Sequence, residues 1–397
     1  MGSGFRLARI AGIDVFVDWS LLIIFFLITF SLGAGVFPAW HPDWGAGLAW
    51  GTALAAAVLF FASVLAHEMS HALVGRARGI VVRRITLFVF GGMAHMENEP
   101  RGWRAEFWMA IVGPLTSLAL GAIFVLLAQL FAGVVELDPE DPQRAMAQVG
   151  PLPTLLLWLG PINILLGLFN LVPGFPLDGG RVLRAVLWGT TGNFRRATLW
   201  ASRGGQGFAW LLIAAGFAMI LGLRVPVFGS GFVGGIWLAF IGWFLNNAAL
   251  MSYRQVLVRE ALADVPVERL MKTDVIRVEP DISLSRLVDE HLLRSDQRAF
   301  PVIEGGRFVG LACLQDIRKR PREEWDRTTV RDVMTPVAEL TPVAPDQEAA
   351  EALATLSRLD VNQLPVLAGG ELRGLLRRED ILRWLSVYGG DEVAGTS

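Results

Sequence analysis

The uncharged run from Gly47 to Ala66 leads directly into His67-Glu68-Met69-Ser70-His71. A stretch this apolar and this long reads as a helix able to cross a bilayer, where a helix satisfies its own backbone polar groups. On that helix His67 and His71 lie one turn apart and leave the same face. Both imidazoles can then meet one metal ion, with Glu68 beside them. The plain alternative is a pair of helix-end histidines with a capping glutamate. Ionisable groups at this depth are costly, however, and mark functional sites.

The rest of the chain agrees with a partly lipid environment. Its 397 residues are 53% hydrophobic, and its mean hydropathy is +0.48. Both exceed what an ordinary soluble domain carries. Apolar windows at about 18–37, 48–73, 105–133, 152–172, 206–223 and 232–251 predict six transmembrane helices. The first is read as a retained helix, since no small-residue cleavage site follows it. Arginines 6, 9, 76, 78, 83, 84, 101, 104, 181, 184, 195, 196 and 203 fall on one side of these spans, and only Arg144 and Arg224 on the other. The positive-inside rule makes the arginine-rich side cytoplasmic, with both termini there and the acidic stretch Glu136–Asp141 outside. The expected location is the cell membrane, in multiple passes, with the lipid bilayer as a partner. A formal net charge of -2 without long basic tracts excludes a nucleic-acid partner. One cysteine, Cys313, excludes an internal disulfide and a cysteine-held cluster, so a metal here is held by nitrogen and oxygen.

Two interruptions in the membrane half bear on that metal. Arg84–Phe90, β-branched and aromatic before Gly91-Gly92, reads as a short strand ending in a turn. Its edge either accepts an extended peptide or simply packs as a hairpin on the bundle. The fourth span runs through Asn163 and Asn170 into Pro173-Gly174-Phe175-Pro176-Leu177-Asp178-Gly179-Gly180. The prolines and Gly174 unwind the helix near the cytoplasmic boundary, where Asp178 can turn inward as a third ligand. Asp-Gly-Gly is equally an ordinary turn. His67 and Asp178 nevertheless fall at a similar depth. His41 and His95 stand apart from both motifs, and a surface role is expected for His95.

After Met251 charged residues recur every few positions. Two units follow that match element by element, strand–helix–strand–strand–helix, when aligned on Pro301-Val302 and Pro365-Val366. Each is too small to be comfortable alone, so they should pack as a pair. The expected domains are a transmembrane domain over 1–253, a first repeat unit over 254–323, and a second unit with the C-terminal tail over 324–397.

Taken together, His67-Glu68-x-x-His71, Phe169-Asn170-x-x-Pro173-x-x-Pro176-Leu177-Asp178-Gly179-Gly180 and the two repeats resemble the site-2 proteases, zinc metalloproteases of the membrane, of the type with a C-terminal pair of CBS (cystathionine-β-synthase) domains. The resemblance covers nearly the whole chain. It implies an α-helical polytopic membrane protein of six transmembrane helices with a short β-hairpin or sheet insertion, followed by an α/β CBS-domain pair. It implies His67, His71 and Asp178 as ligands of one zinc per chain and Glu68 as general base. Asn170 is placed near the active site, either steadying the tetrahedral intermediate or the opened substrate backbone, or else bonding between helices. Gly113-Pro114-Leu-Thr-Ser117 echoes a family segment whose small residues let helices approach closely. In the CBS pair the resemblance implies an adenine nucleotide contacted by Asp316 and Asp380. Where the family has a Ser or Thr three residues earlier, this chain has Cys313 and Arg377, and the arginine suits a phosphate better than the thiol does.

The expected activity is intramembrane zinc endopeptidase cleavage of a membrane-bound substrate near the cytoplasmic face, regulated by the CBS pair. By family, the substrate is a transmembrane protein such as an anti-sigma factor or membrane-tethered precursor. CBS domains often pair into homodimers. Two other readings stay open: a CBS-gated transporter or channel, in which buried His and Asp line an ion path, and a non-catalytic relative. Neither needs Glu68.

Overall fold

The computed structural model describes residues 4–89, 91–96, 100, 102–132, 147–226 and 228–388. The acidic stretch Glu136–Asp141, the His95 side chain and the tail after 388 lie outside the described residues. The chain divides into two compact units, Met1–Tyr253 and Arg254–Ser397.

The first unit opens with a hairpin, β1 (Gly4–Ile10) and β2 (Ile13–Asp18), turned at Ala11-Gly12, where both residues take positive φ. Asp18 then caps the first spanning helix, α1 (Trp19–Trp40), by accepting from the Ser20 amide at 2.9 Å. Next come α2 (Ala46–Ala77), β3 (Val82–Phe88), β4 (Gly91–Met96), α3 (Trp103–Ala132), α4 (Pro151–Asn170), α5 (Asp178–Thr191), α6 (Phe194–Ile220) and α7 (Phe232–Leu262). The strands form one sheet in the order β1-β2-β3-β4, with β2 and β3 parallel and the other pairs antiparallel. Ile13, Val15 and Val17 alternate inward and pack with Ile85 and Leu87 against Val64 and Met69 of α2. The sheet is therefore fixed on the helix that carries the histidines.

Five described helices, α1, α2, α3, α4 and α7, are long and apolar enough to cross a membrane. The sequence predicts six, and among the described helices α6 falls short of that measure. The window 206–223 falls within α6, whose early residues include Arg195, Arg196, Arg203 and Gln206. The apolar part left before Ile220 is short. Outward-facing residues such as Ile23, Phe26, Leu126, Leu130, Leu211 and Val233 are more than half exposed, an arrangement suited to lipid rather than water. Inside, glycines bring backbones together: a Cβ on Gly121 would stand 2.8 Å from the Gly160 carbonyl, and one on Gly167 3.0 Å from that of Pro114. Small residues at α3–α4 replace the hydrophobic effect, which lipid does not supply.

In the second unit, β5 (Ala299–Glu304) and β6 (Arg307–Cys313) pair antiparallel, β6 adds the two-residue β7 (Thr335–Pro336), and β8 (Gln363–Ala368) pairs with β9 (Glu371–Arg377). The first strand expected in each repeat is reduced to one parallel bridge, Val278 to Val302 and Val343 to Val366. Prolines at 280 and 345 stand just beyond these bridges and cannot donate to a ladder. The Gly305-Gly306 and Gly369-Gly370 turns all take positive φ, which explains glycine at both hairpin tips.

Candidate metal centre

His67 and His71 leave α2 toward α3. The His71 Nδ1–H donates to the Met109 carbonyl at 2.5 Å, and His67 Nδ1 lies 2.9 Å from the Ser117 hydroxyl. With protons on both Nδ1 atoms, both Nε2 lone pairs are free to act as ligands. They lie 3.2 Å apart, and each is 3.0 Å from Asp178 Oδ2. These three groups have the composition and proximity of a metal site. The spacing suits zinc: ligands at about 2.0–2.1 Å in a tetrahedron stand about 3.3 Å apart. Both imidazoles are buried, at 4% and 7% exposure. Nitrogen and oxygen lone pairs packed this closely away from water need a cation between them. The space itself depends on Gly113 of α3, because a Cβ there would stand 2.1 Å from His71 Nε2 and 2.8 Å from His67 Nε2.

Asp178 is delivered by the unwound segment after α4. The helix ends at Asn170, and α5 begins on Asp178 itself. Two devices hold this segment. First, the Arg184 guanidinium of α5 is paired with Glu106 of α3, its Nε at 2.7 Å, and lies over the Phe175 and Phe194 rings at 5.0 and 4.8 Å. Second, the segment rests backbone to backbone on α6. The Phe175 amide donates to the Ala201 carbonyl at 3.1 Å. A Cβ on Gly205 would stand 1.9 Å from the Phe175 carbonyl oxygen, and one on Gly204 2.5 Å from that of Pro173. Gly204-Gly205 lies inside a continuous helix and forms the seat of the ligand-bearing segment. Gly205→Ala should therefore displace Phe175 and, three residues on, Asp178. Overpacking of this kind costs about 1–3 kcal/mol. The expected result is faster zinc loss on dialysis against a chelator, with helical content retained.

The other sequence-singled residues fall as follows. Glu68 lies against β4, where a Cβ on Gly92 would meet its Cγ at 2.2 Å. Asn170 donates from Nδ2 to the Leu166 carbonyl of its own helix at 3.0 Å, and no described contact joins it to the three ligands. His41 is buried, stacked on Trp44 at 3.9 Å and 2.8 Å from the Thr154 hydroxyl, a packing role away from the centre. Ser117, the Met109 carbonyl, Gly92 and the Glu106–Arg184 pair were not singled out as site groups from sequence. Ser117 had a signal in the small-residue segment of the third span.

In the second unit Arg377 is nearly buried and forked onto Asp380, Nε to Oδ2 at 2.6 Å and Nη2 to Oδ1 at 2.7 Å. Its Nη1 reaches Glu379 at 2.6 Å and Asp296 at 3.3 Å. Hydrogen bonds from Lys272 and Arg377 hold the Asp296 carboxyl below its ordinary range. At the matching position of the first repeat, burial and then Asp316 push the Cys313 thiol up to about 11, so it stays neutral at pH 7.

A membrane domain with a two-histidine, one-carboxylate centre, followed by a repeat pair, defines the class of membrane-embedded metalloproteases with a regulatory module. The Peptidase family M50 model matches residues 55–137 and 129–213, and the CBS domain model matches 267–323 and 330–387. The chain is 35% identical over 390 residues to a Mycobacterium tuberculosis protein named "Putative zinc metalloprotease Rip3", covering 98% of this chain and 94% of that one. It is 29% identical over 331 residues to "Zinc metalloprotease MJ0392" of Methanocaldococcus jannaschii, covering 83% and 84%. A solved "Site-2 Protease from Methanocaldococcus jannaschii" matches at 25% identity and a TM-score of 0.40, over 63% of this chain and 95% of that one. The chain belongs to the M50, or site-2 protease, family: it is an intramembrane zinc metalloprotease carrying two CBS domains.

Proposed function

We propose that His67, His71 and Asp178 hold one zinc ion, that Glu68 is the general base, and that the chain cleaves a membrane-bound protein near the cytoplasmic face. The observation carrying this reading is the convergence of the two Nε2 atoms and Asp178 Oδ2 within 3.2 Å, the first two from one continuous helix and the third from the end of the unwound segment after α4. Zinc, when bound by such a set, lowers the pKa of a coordinated water to about 7 and polarises a carbonyl. Glu68 takes the proton from the attacking water and passes it to the leaving amine. Ser117 and the Met109 carbonyl keep both ring tautomers fixed throughout. Asn170 steadies the opened substrate backbone in this proposal. Its carboxamide oxygen and the second Nδ2–H serve that purpose, the first Nδ2–H being bonded within its own helix.

Substrate must be extended, because helical carbonyls are hidden in hydrogen bonds. β4 ends the described sheet and carries Gly92 beside Glu68, so a strand added to its outer edge would pass the base. The arginine-rich ends support a cytoplasmic placement of this sheet and of the N-terminus in the cell membrane. Five crossings would leave the C-terminus on the far side, so both termini share the cytoplasm in this proposal with α6 entering the bilayer as a sixth, shorter crossing. A transmembrane anti-sigma factor or membrane-tethered precursor suits a site at that depth. The CBS pair supplies regulation, with homodimerisation through it as part of the proposal. An adenine nucleotide there would meet Asp316, whose recorded partner Lys319 is exposed, more readily than Asp380, whose two oxygens Arg377 holds.

Metal analysis tests the core of this reading. Purified wild type should hold about one zinc per chain after loosely bound metal is removed, and Asp178→Ala, lacking one ligand of three, should hold far less. Little zinc in folded wild type would transfer the case to the transport or non-catalytic reading.

A further inference from the structure

We propose that a second site, at the arginine-rich end of α2, binds the phosphate of an anionic phospholipid headgroup. It rests on the membrane reading alone and is independent of proteolysis. A cavity of about 550 Å³ lies between the β1–β2 turn and the turn that leaves α2, lined among others by Arg9, Gly12, Asp14, Arg76, Gly79 and Arg83. That volume falls within the range of small-molecule sites.

Its walls are built to leave room and to present guanidinium groups. Gly12 and Gly79 both take positive φ, and a Cβ on Gly79 would meet nothing within 4 Å. The Arg76 Nη1 donates to the Ala11 carbonyl, which fixes this guanidinium beside Gly12, 3.6 Å from where a Cβ would stand. Among the described residues the lining carboxylate is Asp14, with Arg6 and Arg9 at 3.6 and 3.8 Å. Arg9 and Arg76 on the wall and Arg6 beside it outweigh that one charge, and arginine forks match phosphate oxygens in pairs.

Depth decides which phosphate reaches it. α2 has 32 residues, about 48 Å at 1.5 Å per residue, against a hydrocarbon core of about 30 Å. Arg76, in its last turn, therefore sits at the headgroup layer. The neighbouring elements agree: Trp19, at the start of α1, is 54% exposed, with the Phe5 ring 5.5 Å away, and Leu7 and Ile10 on β1 are also exposed. Tryptophan and apolar side chains beside arginines are the pattern of a lipid–water boundary. The phosphate available there belongs to lipid, and anionic headgroups are drawn to such pockets.

The test uses full-length protein, delipidated in neutral detergent and titrated with palmitoyl-oleoyl phosphatidylglycerol or the corresponding phosphatidylcholine under native mass spectrometry. One phosphatidylglycerol should be retained in preference to phosphatidylcholine. Arg9→Gln/Arg83→Gln should weaken that retention about tenfold to thirtyfold, and Arg83→Gln alone by a smaller factor should the double variant fold poorly. Equal retention of the two lipids, or unchanged retention by the folded variants, overturns the proposal. Retention of inorganic phosphate by the folded protein with no phosphatidylglycerol retained overturns it in favour of a site for the free anion.

Discussion

Glutamine in place of Glu68 should leave zinc at its wild-type level and lower cleavage about 10²- to 10⁴-fold, the usual contribution of a positioned general base. The substitution preserves shape, which matters because Glu68 is packed against the Gly92 backbone of β4. It removes only the ability to accept a proton. In the proposed centre the ligand atoms come from His67, His71 and Asp178, so metal content and activity should separate cleanly in this variant. The measurement is zinc by elemental analysis beside the rate of cleavage of a reporter with one transmembrane segment, both in the same reconstituted preparation. A Glu68→Gln protein that cleaves at the wild-type rate would remove Glu68 from the mechanism. Loss of zinc together with activity would show that Glu68 helps form the centre, and the base would have to be sought elsewhere.

The convergence of the three proposed ligands was legible in sequence because their geometry is local or is forced by composition. Four-residue spacing puts His67 and His71 on one helical face whatever surrounds them. Pro173, Gly174 and Pro176 oblige the chain to leave the helix before Asp178. What the sequence left hidden depends on pairs distant along the chain. Nothing near Ser117 announces that its hydroxyl will lie 2.9 Å from His67 Nδ1, fifty residues away. The β1–β2 hairpin carried a period-two signal in Ile13, Val15 and Val17, but it merges into the apolar run that follows Trp19 and was absorbed into the approach to the first span. The window at 206–223 falls short for a different reason. Hydropathy counts Phe208–Ile220 as apolar without weighing the polar start of the same helix, and an adjacent glycine pair such as 204 and 205 suggests freedom of motion when only the sequence is in view. In the fold they mark close approach, since each is pressed on a carbonyl of the segment that leads to Asp178.

Gly113→Ala should lower zinc affinity about a hundredfold or more, at least as much as losing an outer-shell partner does, while leaving the helix in place. The added methyl would stand 2.1 Å from His71 Nε2, 2.5 Å from its Cε1 and 2.8 Å from His67 Nε2, well inside contact distance. The rings cannot swing aside freely, because each is held at Nδ1, by the Ser117 hydroxyl and the Met109 carbonyl. Either those bonds break or the two Nε2 atoms part, and both outcomes spoil the ligand set. Alanine is ordinarily favoured over glycine within a helix by about 0.5–1 kcal/mol, but here the added Cβ precedes Pro114 and meets its ring, which offsets that gain. Metal affinity should therefore fall while helical content is kept, a combination that general misfolding does not produce. Gly51→Ala supplies the comparison on the helix that bears the histidines, since a Cβ there would meet nothing within 4 Å. It should keep zinc at the wild-type level through the same chelator titration. If Gly113→Ala also keeps it, the two imidazoles do not share one ion, and the centre must be assembled from Asp178 and a single histidine.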